Sequence, residues 1–339
     1  MRARAWMKGK GSCVLTVSLL LSLLSWPAQS ASANNTTFSG EATVVQATVL
    51  GLPPIVLSDT GALDSTGGAR EASLLDASVP GLLTAEVLHA STVGQGQRSS
   101  SEASVANVTL TVGGNTISAG LLRARATAEC HNGTASVSGS SEIVDLVVNG
   151  QAVVVSGQPN QTISLPVGRV IINEQQSSVS GNTGDITVNA LHVMVDGVAD
   201  VIISSAHADI TCGGPVCPGG DFVTGGGWIT GTPSGAKGTF GVAGGIKNGA
   251  LWGHLTYIDH GTNMKVKGTG VTAYTVTGPT TRHIEGTAEI DGRSGSYQVD
   301  VSDNGEPGRK DTFSIMLSNG YSASGLLIGG NIQLHQPCK

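Results

Sequence analysis

The sequence predicts an all-β protein made of two antiparallel β-sandwich or barrel-like domains, and three observations carry that expectation. Only 12% of the 339 residues are charged, while 49 are glycine. Long helices need charged surfaces and tolerate interior glycine poorly, so this composition favours short strands and tight turns. Turn residues recur between apolar stretches about every ten positions, the spacing of sandwiches and barrels. The residue vocabulary also changes once. No Phe, Tyr or Trp lies between Phe38 and Phe222, and no lysine between Lys10 and Lys237, yet both types recur from there to the end. The change falls in "CGGPVCPGGD" (212–221), a stretch of linker character, which puts one domain at 34–216 and a second at 217–339.

The first residues read as a secretory signal over 1–33. Arg2, Arg4, Lys8 and Lys10 precede an apolar run, Val14 to Leu24, and small residues follow to Ala33. That order of charge, apolar core and cleavage site predicts cleavage near Ser30 or Ala33. The run is short for a membrane span, and no later stretch is longer, so no transmembrane anchor is expected. The mature chain is expected to be secreted, extracellular or at the cell surface.

In the first domain, "GEATVVQATVL" (40–50) reads as a strand, and "PGLLTAEVLHAS" (80–91) suits a short helix or a strand about equally. Gly113-Gly114 in "VTLTVGGNTI", Asn149-Gly150 in "EIVDLVVNGQAVVV" and Asp196-Gly197 in "LHVMVDGVADVII" each separate two apolar runs. These residues tolerate the positive φ of a type I′ turn, so each marks a hairpin. The run "GGDFVTGGGWITG" (219–231) poses a choice between a phosphate loop, a hinge and a strand. No helix pattern follows it, and Pro233 comes soon after. A strand opening the second domain, with Gly225, Gly226 and Gly227 permitting close packing, is the better reading. Short runs from "LWGHLTYID" to "SGLLIGGNIQLH" continue the pattern.

Loss of the signal removes Cys13 and leaves four cysteines, Cys130, Cys212, Cys217 and Cys338, which in an exported chain implies disulfides. Cys130 and Cys212 each close a strand-like segment, and Cys217 and Cys338 flank the second domain. This favours the pairing Cys130–Cys212 with Cys217–Cys338, one staple per domain. The rival is a Cys212–Cys217 loop with Cys130 joined to Cys338. "CGGPVC" has zinc-ligand spacing but lacks a second cysteine pair.

Charge divides unevenly. Residues 31–216 hold five arginines against fifteen acids, and 217–339 balance at nine of each. Nucleic acid is therefore not an expected partner. Asp300, Asp303, Glu306 and Asp311, together with Asn304, offer the hard oxygens that calcium takes, although the spacing is not that of an EF-hand and a solvated hairpin turn accounts for them as well. Trp228, Trp252 and Tyr257 are candidates for stacking on a sugar if their rings are exposed, and core residues otherwise. "SGAK" and "SDN" match pieces of the serine β-lactamase signature, but Ser234 lies in a turn and no K-T-G follows. His254, Asp259 and His260 cluster without a nucleophile, and no facing carboxylate pair can be singled out. No catalytic or cofactor-binding residue is expected.

The stretches "GEATVVQATVLGLPPIVLSDTGAL", "VPGLLTAEVLHAST", "GRVIINEQ" and "DITVNALHVMV", followed by "DFVTGGGWI", "LWGHLTYIDH" and "NGEPGRKDTFSI", resemble the choice-of-anchor P family of bacterial exported proteins and the small β domain that commonly follows it. The resemblance implies a surface or secreted protein and supplies no catalytic residues. The ending "GGNIQLHQPCK" lacks a hydrophobic tail or sorting motif, so release is expected over attachment. The combined expectation is a non-catalytic structural or adhesive protein whose partner is a surface or matrix polysaccharide or another copy of itself. A carbohydrate-binding module and a secreted hydrolase are the alternatives.

Overall fold

A computed structural model describes residues 35–213, 220–247 and 249–336. The expected signal at 1–33, the domain boundary at 216 and the cysteines Cys217 and Cys338 lie outside the described residues. The described residues are all-β, with 73% of them in strands and no helix.

The strands in chain order are β1 Thr37–Val49, β2 Ile55–Asp59, β3 Gly68–Val79, β4 Leu83–Gln95, β5 Arg98–Val112, β6 Asn115–His131, β7 Thr134–Val144, β8 Val147–Val148, β9 Gln151–Ala152, β10 Gln161–Leu165 and β11 Gly168–Ser180. They continue with β12 Thr183–Val195, β13 Ala199–Thr211, β14 Phe222–Ile229, β15 Gly238–Lys247, β16 Ala250–Asp259, β17 Met264–Val276, β18 Thr281–Ile290, β19 Arg293–Ser302, β20 Thr312–Leu317, β21 Ser322–Leu326 and β22 Gly329–His335. Residues 80–91 are turn and strand, which excludes the helix. The Gly113-Gly114 and Asn149-Gly150 turns form as expected, with positive φ at both positions of each. The Asp196-Gly197 turn takes up Val198 as a third residue.

Three antiparallel sheets result, all within one compact unit, Asn34–Lys339. The first runs β10-β11-β12-β13-β1-β2. The middle sheet runs β3-β4-β5-β6-β8-β9, with β7 also on β6. Their facing sides make a sandwich, whose core holds Val44, Leu122, Ile172 and Leu191 among many alanines. The third sheet is a meander from β21 back to β14, with β22 returning beside β14, and it curls into a half-barrel. Inside it the Phe240 and Phe313 rings stack at 3.9 Å, next to Tyr257. The Cys130–Cys212 bond joins the end of β6 to the residue after β13 and so ties the middle sheet to the first. It excludes the rival pairing.

The first sheet carries a row of interrupted pairing. Residues 44/58, 44/204, 190/204 and 173/190 lie opposite each other in unbroken register, yet are unpaired. Ser58, Asn173 and Ser204 in this row, and Asn160 at its edge, have left-handed φ of 50–61° or close to it. The middle sheet has a matching row through Val87 and Asn107, with Gly120 opposite Asn107. Left-handed backbone turns the peptide and breaks the ladder at that level, so inside-outside alternation changes phase in each strand. Buried Ser204 donates to the Leu122 carbonyl at 3.1 Å, joining the two sheets at this level.

Candidate functional site

Alternation on the middle sheet explains where its polar groups go. One side of β4, β5 and β6 supplies Leu88, Ala90, Ala103, Val105, Leu122, Ala124 and Ala126 to the sandwich core. The other presents His89, Ser91, Ser100, Glu102, Ser104, Arg123 and Thr127, which a two-layer sandwich would leave in water. Here they are buried, because β14 and β15 lie over them. Glycine makes that approach possible. A Cβ on Gly226 would sit 2.8 Å from Ser104 Oγ, and one on Gly241 3.0 Å from His89 Cβ. The glycine run is thus a strand, β14, that lets two backbones meet over a polar seam. Three clusters occupy it.

The first is ionic. Arg123 binds Glu102 at 3.3 Å and Glu142 at 3.0 Å, and Arg125 binds Glu306. Glu102 Oε1, Arg123 Nε and Asn331 Oδ1 are buried without a partner. Burial outweighs the neighbouring arginines and raises the Glu102 carboxyl above its ordinary pKa. Beside this cluster, a cleft of about 780 Å³ opens between the 95–98 turn, the 129–131 strand end and the 303–305 loop, with Arg98, Glu129, Cys130, Asn304 and His335 on its wall.

In the second cluster, Ser73 Oγ lies 2.8 Å from His89 Nδ1 and donates to Glu71 Oε2 at 3.0 Å. These are the residue types of a nucleophile, a base and an acid, but the connectivity differs from that of a triad. The carboxylate bonds the serine rather than the far ring nitrogen, and that nitrogen, Nε2, is buried without a partner. Burial drives the His89 pKa down to about 3 and the Glu71 pKa up to about 7. His89 is 1% exposed, so its ring cannot reach a substrate directly.

The third cluster surrounds Lys237, just before β15. Its Nζ donates to the Gly120 carbonyl at 3.0 Å and to Asn107 Oδ1 at 3.5 Å, with the Trp228 ring centroid 5.0 Å away. Asn107 Nδ2 donates to Glu86 Oε2 at 2.8 Å, and His260 Nδ1 stands 3.6 Å from the same carboxylate. His260 Nε2 meets Thr239 Oγ1 at 3.0 Å. The break opposite Asn107 leaves the Gly120 carbonyl without its ladder partner and available to the lysine.

The residues nominated from sequence are dispersed. Tyr257 is fully buried and bonds Tyr321 Oη at 2.7 Å, so it cannot stack on a sugar. Trp252 is half-buried, edge-on to Phe222 and against the Ala69–Val93 cluster. Trp228 lies half-buried at the seam against Lys237. No shared flat platform forms from the three, because Tyr257 packs inside the half-barrel while Trp228 and Trp252 lie at separate points of the seam. The acids expected around calcium are also separate. Asp300 pairs with His283 at 2.7 Å, and Asp303 accepts the Leu334 amide at 2.9 Å. Fully buried Asp311 accepts the amides of Asn304 and Ile332 at 2.8 and 2.9 Å. Together with the Glu306–Arg125 pair, these bonds fasten the 303–311 loop to β22 and the middle sheet. Among the described residues no three His, Cys, Asp or Glu gather as a metal site requires. Asp259 is buried and accepts from Tyr321 at 2.8 Å, and its neighbour His260 turns to the lysine cluster.

The outer side of the first sheet forms cross-strand rows of polar residues. Ser39, Asp209, Asp185 and Ser178 make one row, and Glu41, His207, Thr187 and Gln176 the next. His207 bonds Asp185 at 2.9 Å. Burial and nearby carboxylates raise the pKa values of Glu41 and Asp209. Neighbours within a row stand about 4.8 Å apart on adjacent strands and successive rows about 6.7 Å apart along them, which gives a regular array of hydroxyls, amides and carboxylates.

No family model matches the chain, and no curated protein matches it. Among solved structures, the crystal structure of an AttH candidate from Nitrosomonas europaea aligns over 89% of this chain and 93% of that one, at 6% identity and a TM-score of 0.20. At that score the alignment assigns neither fold nor activity. No helix among the described residues is long and apolar enough to cross a membrane.

Proposed function

We propose that the chain is a secreted or cell-surface, non-catalytic protein of adhesive or structural character, as the choice-of-anchor P resemblance implies. The observation that carries this reading is the polar array on the outer side of the first sheet, where Glu41, Gln176 and Ser178 are exposed and no described strand lies over them. A repeating array of short polar side chains on a stiff sheet suits a repeating polar partner such as a polysaccharide, which takes many weak hydrogen bonds in parallel. The Cys130–Cys212 bond supports an oxidising compartment.

The test is retention of the mature oxidised protein on insoluble polysaccharides and bacterial cell walls, with the supernatant assayed for released sugar. Retention without release is expected. Release of sugar would replace this reading with a hydrolase, and failure to bind any of the polymers would remove the polysaccharide partner.

A further inference from the structure

The Lys237 cluster brings an amine, a carboxamide and a carboxylate together across two sheets, although Lys237 and Asn107 are 130 residues apart. We propose that Lys237 and Asn107 join through an intramolecular amide bond between Nζ and Cγ, with loss of ammonia and with Glu86 as the proton carrier.

The contacts place the amine on the carboxamide and the carboxylate on the leaving nitrogen. Lys237 Nζ is already hydrogen-bonded to the carbonyl oxygen of the amide it would attack, and its bond to the Gly120 carbonyl fixes its position. The hydrogen bond to Oδ1 holds Nζ next to the carboxamide, and a small rotation of the lysine side chain brings it onto Cγ. Glu86 Oε2, 2.8 Å from Asn107 Nδ2, stands beside the nitrogen that must leave. Lys237 gives its proton through one water to Glu86, whose charge it feels although the two are not in contact, and the freed lone pair attacks Asn107 Cγ to give a tetrahedral carbon. Glu86 then returns the proton to Nδ2, the Cγ–Nδ2 bond breaks, and ammonia departs and takes up the proton that the new amide nitrogen sheds. An ammonium and a carboxamide become a secondary amide and an ammonium ion, so no oxidant or cofactor is needed. Burial lowers the pKa of Lys237 against the opposing pull of Asp145 and Glu86, which increases the share of free amine. The Trp228 ring and the seam keep bulk water from one side of the lysine. Asn107 is held at a left-handed φ of 46° within β5, so its side chain leaves the strand at an angle set by the break in the ladder.

The bond would tie the half-barrel to the middle sheet, as the disulfide ties the middle sheet to the first. Peptide mapping of the mature, reduced and alkylated protein tests this. Trypsin cuts after Arg98, Arg123, Arg169, Lys237 and Lys247. The proposal expects a branched product in which 99–123 is joined to 170–247, lighter by one ammonia than the two peptides together. Lys237→Arg should give the unbranched 99–123 peptide, and Glu86→Gln should slow or abolish branching in a protein that still forms the Cys130–Cys212 bond. Recovery of 99–123 and 170–237 as separate, unmodified peptides from the wild-type protein would overturn the proposal. Loss of ammonia at Asn107 with Lys237 still cleavable would also overturn it, because that pattern belongs to a local succinimide.

Discussion

At the residue scale, the buried titratable groups set a pH profile whose sign can be worked out. His89 has a folded pKa of about 3, below its ordinary 6.5, so the stability tied to its neutral form is present above 6.5 and lost as pH falls towards 3. Glu71 has a folded pKa of about 7, above its ordinary 4.5, so the stability tied to its protonated form is present below 4.5 and lost as pH rises towards 7. Between about 4.5 and 6.5 the two slopes oppose each other, so these groups leave a plateau that falls away on both sides. Glu71→Gln, which keeps a hydrogen-bonding side chain of the same size, is expected to remove the alkaline loss, on the order of 3 kcal/mol at pH 8, and to change little at pH 4.5. Denaturant titrations at the two pH values measure this. In the half-barrel, Phe313→Ala is expected to cost about 3–5 kcal/mol because it strips the stacked partner from Phe240 and leaves a cavity.

Glycine positions decide the packing at the scale of elements, and their consequences differ from strand to strand. Gly226→Val is expected to destabilise by about 1–3 kcal/mol, since its Cβ meets Ser104 Oγ at 2.8 Å with another sheet behind it. Gly270→Ala, whose Cβ would meet only Thr287 Oγ1 at 3.6 Å, should leave the melting temperature nearly unchanged. The paired variants separate a close-packing glycine from one in open space. Strand existence was legible from turn chemistry, as Gly113-Gly114 and Asn149-Gly150 show. The transverse row through Ser58, Ser204 and Asn173 was not, because Ser and Asn inside a strand carry no local mark distinguishing left-handed from extended backbone. Lys237, Asn107 and Glu86 escaped for a different reason. Each is ordinary in its own stretch, and only the folding of β14 and β15 over β4 and β5 brings them together.

For the whole molecule, the change of vocabulary near residue 216 acquires a physical cause. Ala42, Ala190, Ala206 and Ala208 of the first sheet face Ala103, Ala124, Ala126 and Ala128 of the middle sheet, all fully buried. Sheets lined with methyl groups approach too closely for aromatic rings, and the glycines of β14 and β15 close the other side in the same way. Apart from Phe38 at the edge of the sandwich core and Phe222, Trp228 and Trp252 along the seam, the buried rings gather in the half-barrel, where curling of one sheet opens a wider interior. Sequence alone made the ring-free region legible, but the reason for it required the second layer over the polar side of β5 and β6. Opening the Cys130–Cys212 bond, which closes a loop with a sequence separation of 82, is expected to cost about 2–5 kcal/mol, read as a fall in melting temperature under reducing conditions.

The most direct measurement compares polymer retention by the wild-type protein and by a variant that flattens the outer array, Glu41→Ala, Asp185→Ala, His207→Ala and Asp209→Ala together, with circular dichroism confirming that both are folded. The expected result is a loss of retention of tenfold or more in the variant, and equal retention by the two proteins would contradict the assignment of that face as the binding surface.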